Sequence, residues 1–345
     1  LDPHFCAITL HQKWREGYFQ TVCNHHVSQS SVSRAVLLET SILLPPLPEQ
    51  ERIVAKVEEL LARVNSAKER LNKVSLILKR FRQAVLSAAC SGRLTTDWRE
   101  ANPCSTSYAE EELPLGWQTA SIGEVVESLK YGTSQKCSYE KRGVPVLRIP
   151  NIEQGIVNYS DVKYADLQER EFQQLRLRSG DILMIRSNGS VSLVGKSALV
   201  RDVDEGFAYA GYLMRLRPDF SRIIPDFLNL VMGSHDVRVQ IEVPARSTSG
   251  VHNINSKEVR ALQFFLPPLG EQQEIVRRVE SMSKLADAGE KRVEAARVRA
   301  EKLTRAILAK AFRGELVPTE AELARREGRS YESASELLAK IKSNR

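Results

Sequence analysis

The sequence predicts an α+β fold in which mixed α and β domains are joined by two long antiparallel coiled-coil helices. Three observations lead to this fold class: a gapless internal repeat, an apolar heptad pattern in both copies of it, and alternating strand and turn signals between the copies. With 345 residues, 42% of them hydrophobic, the chain is long enough to bury more than one core.

The internal repeat relates residues 45–94 to residues 267–316 at a constant offset of 222. Each copy opens with Pro-Pro-Leu-x-Glu-Gln. The double proline cannot continue a helix from upstream, and the glutamate suits the positive end of a helix dipole. Gly92 and Gly314 mark the ends of the copies. One helix, about 60 Å long at roughly 1.5 Å per residue, is therefore predicted twice.

The apolar residues of the two helices predict how the helices pair. They recur at alternating spacings of four and three residues, which is the seam of a coiled coil. With their ends matched, antiparallel helices place Leu71 opposite Gly289 and Val74 opposite Ala286, so that small residues meet large ones. Parallel helices would leave a void between Ala67 and Gly289. We therefore expect an antiparallel pair within one chain; a homodimeric coiled coil between chains is the alternative.

The repeat also extends upstream of the first helix, because Pro3-x-Phe5 matches Pro225-x-Phe227 at the same offset. The first residues are thus expected to be the end of a domain whose complete copy lies between the helices. Carrying residue 113, where that copy opens, back by 222 predicts that the first copy lacks about 110 residues. The predicted segments are a C-terminal domain remnant (1–44), the first helix (45–99), a linker (100–112), a complete domain (113–266), and the second helix with a C-terminal tail (267–345).

The complete domain alternates short strand-like runs with turn signals such as Ser179-Gly180-Asp181. This pattern indicates a mixed α and β domain, but it does not determine the order of the strands. Strands are predicted at 144–149, 181–186 and 212–216, and helices at about 166–175 and 225–240.

Composition and spacing argue against several functional classes. The sequence contains no run of 18 apolar residues, so no membrane span is expected. The five cysteines never form a Cys-x-x-Cys pair, which is typical of reduced thiols and predicts a cytoplasmic protein. The cysteines and histidines around Cys23 lack zinc-finger spacing, so no metal is expected. The segment from Gly189 to Lys196 resembles a phosphate-binding loop, but five residues rather than four separate its glycines. The extra residue would misplace the backbone amides, so we expect an ordinary hairpin or loop and no nucleotide site.

Several motifs occur together in this chain, and their combination is more specific than any one of them. Leu-Pro-Pro-Leu-x-Glu-Gln precedes a long heptad helix that ends in Ala-x-x-Gly-x-Leu, and the complete domain opens with Leu-Pro-x-Gly-Trp and contains Gly-Asp-Ile-Leu. The combination resembles the specificity subunit of type I restriction-modification systems. The stretches 77–86 and 308–316 are similar to the type IA branch in particular. The resemblance covers the whole chain, with a first domain that is truncated at its N-terminus.

The resemblance implies two target-recognition domains at opposite ends of the antiparallel helices, each reading half of a bipartite sequence in double-stranded DNA. The helices would then act as a ruler, which means that their length sets the distance between the two half-sites. The implied partners are methyltransferase (M) subunits that carry S-adenosylmethionine and restriction (R) subunits that use ATP and magnesium. The specificity subunit itself is expected to be non-catalytic and to bind no cofactor. A coiled-coil scaffold that joins protein partners without binding DNA is the alternative.

Direct readout of DNA requires Arg, Lys, Asn, Gln, Ser or Thr side chains on loops that can enter the major groove. Polar loop clusters of the complete domain meet this requirement, and ordinary solvated loops would show the same composition. The net charge of +7 is only weak evidence for DNA binding, because the positive excess lies on the predicted helices. The candidate DNA-binding residues are Tyr131, Thr133, Ser134, Gln135, Arg148, Asn151, Arg186, Ser187, Asn188, Ser190, Lys196, Arg246, Ser247, Thr248 and Asn253.

Overall fold

The computed structural model of the chain describes residues 1–25, 30–103, 113–153, 155–201, 206–242 and 252–343. These residues form two compact units. The first unit consists of Leu1–Leu78 with Ala288–Arg345, and the second consists of Lys79–Asp287. Because the division falls within the two long helices, each helix contributes one part to each unit.

Helices, strands and 3₁₀ turns are numbered in chain order. The helices are α1 (Pro3–Arg15), α2 (Tyr18–Val22), α3 (Arg34–Glu39), α4 (Leu47–Cys90), α5 (Thr96–Ala101), α6 (Glu169–Leu175), α7 (Pro225–Gly233), α8 (His235–Glu242), α9 (Ser256–Ala261), α10 (Leu269–Phe312), α11 (Glu320–Glu327) and α12 (Ala334–Ser343). The strands are β1 (Asn24–His25), β2 (Ser30–Ser31), β3 (Gln118–Ser121), β4 (Val126–Tyr131), β5 (Val144–Leu147), β6 (Gly155–Ile156), β7 (Lys163–Ala165), β8 (Ile182–Ile185), β9 (Ser187–Asn188), β10 (Ser197–Leu199), β11 (Ala208–Tyr209), β12 (Leu213–Pro218), β13 (His252–Asn253) and β14 (Gln263–Leu266). The 3₁₀ turns are η1 (Arg93–Thr95), η2 (Ile122–Glu124) and η3 (Ile149–Asn151). None of the helices in the described part of the chain has the length and apolar character needed to cross a lipid bilayer.

The two long helices predicted from the repeat are confirmed. Helices α4 and α10 contain 44 residues each, and both their first and their last residues are separated by the repeat offset of 222. Gly92 and Gly314, just beyond the helix ends, have φ angles of 76° and 71°. Glycine adopts this left-handed conformation without the clash that a Cβ atom causes, which is why it marks both ends.

The helices pair in antiparallel fashion, as predicted, but the predicted register is wrong by one heptad. In the first unit, Leu78 rather than Leu71 covers Gly289, since a Cβ atom at Gly289 would lie 3.2 Å from Leu78 Cδ2. The ammonium of Lys68 lies 2.8 Å from a carboxylate oxygen of Glu301, in agreement with this register. A shift of seven residues keeps both apolar seams in phase, so the heptad pattern alone could not distinguish the two registers.

The register continues in the second unit, where a guanidinium nitrogen of Arg82 lies 2.5 Å from a carboxylate oxygen of Asp287. Here the end of α4 is part of the domain core. Val85 and Ala89 of α4 and Ile275 of α10 are buried in one cluster with apolar residues of the sheet. The helices and the mixed domain of this unit therefore share a core, and they are held by hydrophobic burial as well as by ion pairs.

The glutamine of the repeated motif attaches each long helix to the start of an earlier helix that does not directly precede it in the chain: α7 for α10 and α1 for α4. In the second unit the side-chain oxygen of Gln272 accepts a hydrogen bond from the Ile224 N–H at 2.8 Å, at the start of α7. In the first unit Gln50 accepts the equivalent bond from the Asp2 N–H, also at 2.8 Å, at the start of α1. Both glutamines are fully buried. The motif therefore has the same structural role in both copies.

The mixed domain of the second unit is built on a five-stranded sheet in the order β4-β12-β8-β10-β6. A three-stranded sheet in the order β11-β5-β7 and the pairs β13-β9 and β14-β3 complete it. Strand β8 is central, and all four of its residues are buried. The strands predicted at 144–149, 181–186 and 212–216 are confirmed as β5, β8 and β12. The helix predicted at about 166–175 is confirmed as α6, whereas the one predicted at 225–240 is divided at Ser234 into α7 and α8.

The Gly-Asp-Ile-Leu turn is fixed by a buried charge. Asp181 is 1% exposed, and each of its carboxylate oxygens accepts a hydrogen bond from Arg217 at 2.7 Å. One of these oxygens also accepts the Arg178 N–H at 2.9 Å. A buried carboxylate is tolerated only when it is paired and hydrogen-bonded, and Asp181 meets both conditions. The turn thereby joins β8 to β12.

In the first unit, Glu320 holds α11 against the start of α4. Its carboxylate is 2% exposed and lies 2.7 Å from both Arg52 and Arg329. The Glu320 N–H donates to the Glu49 carboxylate at 2.7 Å. The pKa of the Glu320 carboxyl is lowered, first by the hydrogen bond from Arg329 and then by Arg52. The negative charge is therefore part of the folded structure.

Replacing Glu320 with glutamine removes this charge, and we expect the free energy of unfolding of the first unit to fall by about 1–2 kcal/mol at pH 7. A carboxyl whose pKa is lowered on folding stabilises the protein above its unfolded pKa, and that contribution is lost as the pH falls through the folded pKa. The difference between Glu320→Gln and the parent should therefore shrink as the pH is lowered through the acidic range. Urea titrations followed by circular dichroism at several pH values measure it.

The control is Glu69→Gln, because Glu69 is an exposed carboxylate on α4. We expect this variant to unfold like the parent at every pH. A loss of stability in Glu320→Gln that stays constant from neutral to acidic pH would contradict the assigned role of the charge.

Candidate nucleic-acid interface

Polar loops that are far apart in the sequence meet at one end of the mixed domain. Strand β13 pairs with β9, which places His252 opposite Asn188 and Asn253 opposite Ser187. The turn after β4 lies beside the start of β12, because the Gly211 N–H donates to the Thr133 carbonyl at 2.7 Å. We call the exposed and half-exposed side chains of this region the candidate interface. Its members are Tyr131, Ser134, Gln135, Arg186, Asn188, Ser190, Tyr212, His252 and Asn253.

Arg186 lies between the converging loops. Its guanidinium is centred 4.5 Å from the centroid of the Tyr131 ring, and one of its nitrogens donates to the Gly211 carbonyl at 3.3 Å. The Tyr131 hydroxyl in turn accepts the Ser256 N–H at 2.8 Å. Among the described residues, the buried Nε of Arg186 has no hydrogen-bond partner. The ring fixes the plane of the guanidinium, which suits paired recognition of a guanine edge or a phosphate.

Asn188 and Ser190 form a local turn beside Arg186. The Asn188 side-chain oxygen accepts the Ser190 N–H at 2.8 Å, and the Ser190 and Ser192 hydroxyls are 2.9 Å apart. The side-chain oxygen of Asn188 is thus committed to the loop. Its amide nitrogen is the group that remains suited to an acceptor on a base edge.

Two predicted contact residues have internal roles instead. Asn151 is fully buried, its amide donates to the Asn158 carbonyl at 2.8 Å, and its oxygen accepts the Arg148 N–H at 2.7 Å. The Arg148 guanidinium is paired with the Asp161 carboxylate at 2.8 Å. These side chains hold the 148–161 loop together. Asn151 has no surface to offer DNA, and neither residue belongs to the candidate interface.

Thr133 and Ser187 lie beneath the candidate interface. Thr133 is 4% exposed, and its hydroxyl donates to the Glu171 carboxylate at 2.6 Å. Ser187 is 7% exposed. Thr133 links the turn after β4 to α6, so both residues support the surface from below instead of forming it.

Lys196 lies opposite Ile185, since its carbonyl accepts the Ile185 N–H at 2.9 Å, and it is not counted in the candidate interface. It is exposed and lines a cleft of about 660 Å³ whose lining does not include Tyr131 or Arg186. The remaining predicted contacts, Arg246, Ser247 and Thr248, lie outside the described residues.

The buried guanidinium of Arg215 supports α6. Helix α6 in turn carries Glu171, which accepts the hydrogen bond from Thr133. Arg215 is 2% exposed and donates to the carbonyls of Gln174 and Arg176 at 3.3 and 3.2 Å, at the end of α6. Burial is the main reason that the pKa of the Arg215 guanidinium is lowered from its usual value. The pKa of the adjacent Tyr209 hydroxyl is raised to about 12, also by burial. The sheet thus fixes the helix whose Glu171 holds the turn after β4.

Comparison with protein-family models assigns this architecture to a known family. Residues 114–295, more than half of the chain, match the model of the type I restriction modification DNA specificity domain. The chain belongs to the family of type I restriction-modification specificity subunits. The resemblance inferred from the motifs is thereby confirmed.

Curated specificity subunits match over most of this chain. It is 36% identical over 310 residues to the type I restriction enzyme EcoKI specificity subunit of Escherichia coli K12, which covers 88% of this chain and 64% of that protein. It is 35% identical to the StySPI specificity subunit of Salmonella potsdam, over 80% of this chain and 58% of that protein. It is 33% identical to the EcoBI specificity subunit of Escherichia coli, over 100% of this chain and 75% of that protein. The chain thus spans less than two thirds of the first two relatives.

Solved structures show the same fold. A chain from a structural study of complex assembly and conformational transition in the type I R-M system superposes with a TM-score of 0.68 at 23% identity, covering 91% of this chain and 71% of that one. The HsdS subunit from Thermoanaerobacter tengcongensis superposes with a TM-score of 0.52, at the same identity and coverage.

Two members of the candidate interface in this specificity-subunit chain were not among the sequence candidates. Tyr212 is 62% exposed beside Gly211, and His252 pairs with Asn188 across β13 and β9. Tyr212 is the first residue of the strand predicted at 212–216. An aromatic residue directly after a glycine, at the edge of a predicted strand, was the available signal. Nothing in the sequence marked His252, because its position depends on strand pairing.

Replacing Arg186 with alanine should weaken binding to the specific DNA target by at least about 1 kcal/mol, because it removes the stacked guanidinium. Arg186→Lys keeps the charge but loses the planar pair of donors. Arg186→Lys should therefore resemble alanine if Arg186 contacts a base, and should recover most of the affinity if it contacts a phosphate. Titrations of specific and non-specific DNA at several salt concentrations, with a cognate methyltransferase subunit present, measure these effects.

Arg170→Ala provides the matched control, since Arg170 is an exposed arginine of the same domain on α6 and is not part of the candidate interface. It should change the affinities for specific and non-specific DNA equally and slightly. If folded Arg186→Ala binds the specific target as tightly as the parent at every salt concentration, Arg186 has no role in recognition.

Proposed function

We propose that this chain is the DNA sequence-recognition subunit of a type I restriction-modification complex and directs methylation and cleavage subunits to a bipartite target. The observation that carries the proposal is the candidate interface, on which three separate loops present hydrogen-bonding side chains around a stacked arginine. It lies within the segment that matches the specificity-domain model. Family and site therefore support the same function.

The candidate interface has the chemistry that reads base edges. A guanidinium held in a plane pairs with the O6 and N7 atoms of guanine, and an amide pairs with adenine. Arg186 and Asn188 supply these two groups two residues apart in the chain, and Gln135 and Asn253 add further amides. Ser134 and Ser190 offer hydroxyls that either donate or accept. We propose that these residues make the base and phosphate contacts of one half-site.

We also propose a role for each of the other parts of the chain. Residues 113–266 form one complete recognition domain, residues 1–44 are the end of another, and 45–99 and 267–345 supply the spacer helices. The chain acts without catalysis of its own. The methyltransferase (M) subunits supply S-adenosylmethionine, and the restriction (R) subunits use ATP and magnesium. The complex acts on double-stranded DNA in the cytoplasm.

Exchanging residues 113–266 for the corresponding domain of another family member should change one half of the methylated target and leave the other half unchanged. The reason is that the candidate interface lies within this segment, whereas the long helices repeat and carry little that could distinguish sequences. Sequencing methylated DNA from cells that express the chimaera with M subunits measures the outcome. An unchanged target would contradict the assignment, and methylation without sequence preference would favour a scaffold that does not read DNA.

Removing one heptad from each long helix tests the ruler. Deleting 65–71 and its partner 296–302, as the observed register pairs them, keeps both seams in phase and shortens the pair by about 10 Å. That is close to three base pairs at about 3.4 Å each, and it rotates the second half-site by about 100° at roughly 10.5 base pairs per turn. The variant should prefer a spacer changed by a few base pairs or lose two-site binding.

Selection from a DNA library with randomised spacers measures the preferred spacer of the double deletion. The control deletes 65–71 alone, which leaves the two helices unequal in length by one heptad, so their ends no longer match and specific binding should be abolished. Recovery of the parental spacer at full affinity by the double deletion would show that the helices do not set the distance.

A further inference from the structure

A short positively charged loop follows the candidate interface in the chain. It consists of residues 136–143, and we call it the basic loop. The whole domain 113–266 has nineteen Lys and Arg residues against seventeen Asp and Glu, whereas residues 130–142 have four against one. The positive excess of the domain is therefore concentrated in this segment. Its cations are the exposed side chains Lys130, Lys136, Lys141 and Arg142.

The cations of the basic loop differ from other cations of the same domain in having no carboxylate partner. Ion pairs to a carboxylate are made by Arg148, Arg201, Arg217 and Arg238. Among the ion pairs that join described residues, none involves Lys136, Lys141 or Arg142. Their charge is not neutralised by an ion pair in the structure, so it can attract an external anion.

Backbone pairing fixes the path of the basic loop against β7. The Ser138 N–H donates to the Tyr164 carbonyl at 2.9 Å, and the Tyr164 N–H donates to the Ser138 carbonyl at 2.8 Å. The loop ends at Gly143, which has a φ angle of 86°. A Cβ atom at Gly143 would collide with the Ala165 carbonyl, so glycine allows the chain to turn closely against the strand. The cations are thus carried by a loop with a defined path.

Tyr139 joins the basic loop to side chains behind it. The Lys163 ammonium lies 4.5 Å from the centroid of the Tyr139 ring, which is a cation–π contact. The hydrogen bond from the Tyr139 hydroxyl is the main reason that the pKa of the Asp161 carboxyl is lowered. Asp161 also pairs with Arg148, and its carbonyl accepts a hydrogen bond from the Asn151 amide at 3.2 Å. Arg148 and Asn151 therefore support the basic loop.

The basic loop and the candidate interface lie at the same end of β4. The Gln135 N–H, one residue before the loop, donates to the Thr133 hydroxyl oxygen at 3.1 Å. Thr133 belongs to the turn that follows Tyr131, the last residue of β4. In a DNA groove the base edges are bordered by the phosphates of both strands. Cations beside a surface that reads bases are therefore placed to meet the backbone.

We propose that the basic loop binds the sugar–phosphate backbone beside the half-site that the candidate interface reads. Lys136, Lys141 and Arg142 are the phosphate contacts, and Tyr139 is a positioning residue that acts through the path of the loop. The inference rests on the proposed function, because it requires the domain to bind DNA. Phosphate contacts fix the register of a protein on the duplex without carrying sequence information. The basic loop thus contributes affinity and salt dependence, while the candidate interface selects the bases.

The double variant Lys136→Gln/Lys141→Gln tests the phosphate contacts in the full chain with a cognate methyltransferase subunit present. Binding constants for specific and non-specific DNA are measured over a series of salt concentrations. Each phosphate contact contributes about 0.9 to the slope of log K against log salt, because binding releases counterions. The slope should therefore fall in magnitude by about two, and specific and non-specific binding should weaken by the same factor.

The matched control is Arg222→Gln/Arg260→Gln, which removes the same charge from two exposed arginines of the domain. Both lie beside η2, at the opposite end of β4. The Arg222 guanidinium donates to the Glu124 carbonyl, and a Cβ atom at Gly123 would lie 3.1 Å from Arg260 Cβ. This variant should keep the parental slope. Equal losses of slope in the two double variants would reduce the effect to net charge and overturn the proposal.

Tyr139→Ala tests positioning without changing the charge of the chain. It removes the ring beneath Lys163 and the hydrogen bond to Asp161, so the salt slope should fall although every cation is kept. Tyr139→Phe keeps the ring and should have a slope closer to that of the parent. A parental slope in folded Tyr139→Ala would contradict the role assigned to Tyr139.

Further results distinguish this inference from the proposed function. If the parent binds the specific target and Lys136→Gln/Lys141→Gln keeps the parental slope, the phosphate contacts are excluded and the proposed function stands. Weakening of specific binding alone would assign the loop to bases, and weaker binding of the methyltransferase subunit without DNA would identify an acidic protein surface as its partner. Either result overturns the proposal. If the parent shows no preference for any target, the proposed function fails and the inference fails with it.

Discussion

The antiparallel seam between α4 and α10 is the constraint on which the rest of the structure depends. In the second unit the end of α4 and the start of α10 lie in the same hydrophobic cluster as the sheet. The helix ends are therefore part of the core of the mixed domain. The buried Gln272 then fixes the start of α10 to the start of α7. In the first unit Gln50 makes the same attachment with α1. Hydrophobic burial supplies most of the stabilisation of such a core, and the glutamines supply its alignment.

The candidate interface depends on this scaffold through buried polar groups. Asp181 and Arg217 fix the turn into β8, while Arg215 fixes the end of α6. Helix α6 presents Glu171 to Thr133, and Thr133 holds the turn that carries Tyr131. Tyr131 in turn supports Arg186. A network of buried charges beneath an exposed polar surface thus holds the loops of the candidate interface in place.

Comparison of the two copies distinguishes what the repeated elements do alone from what they do with a neighbour. Helix α3 keeps its boundaries and its capping side chain, as α9 does, although Leu37 on its apolar face is 45% exposed and the equivalent Val259 of α9 is fully buried. Local signals such as capping thus account for the helix. Burial of the equivalent face of α9 depends on η2, which is distant from it in the sequence.

The sequence by itself determined the features that depend on local pattern: the two long helices, their antiparallel pairing, their glycine ends, the main strands and the family. It could not determine the register of α4 on α10, because a shift of one heptad leaves the apolar pattern unchanged and only contacts such as that of Leu78 with Gly289 distinguish the alternatives. Nor could it separate Arg186, stacked at the surface, from Asn151, buried within a loop, since both are polar residues at strand ends. That difference arises from which strands pair and which side chains they cover, and strand pairing is a long-range property that only the tertiary structure decided.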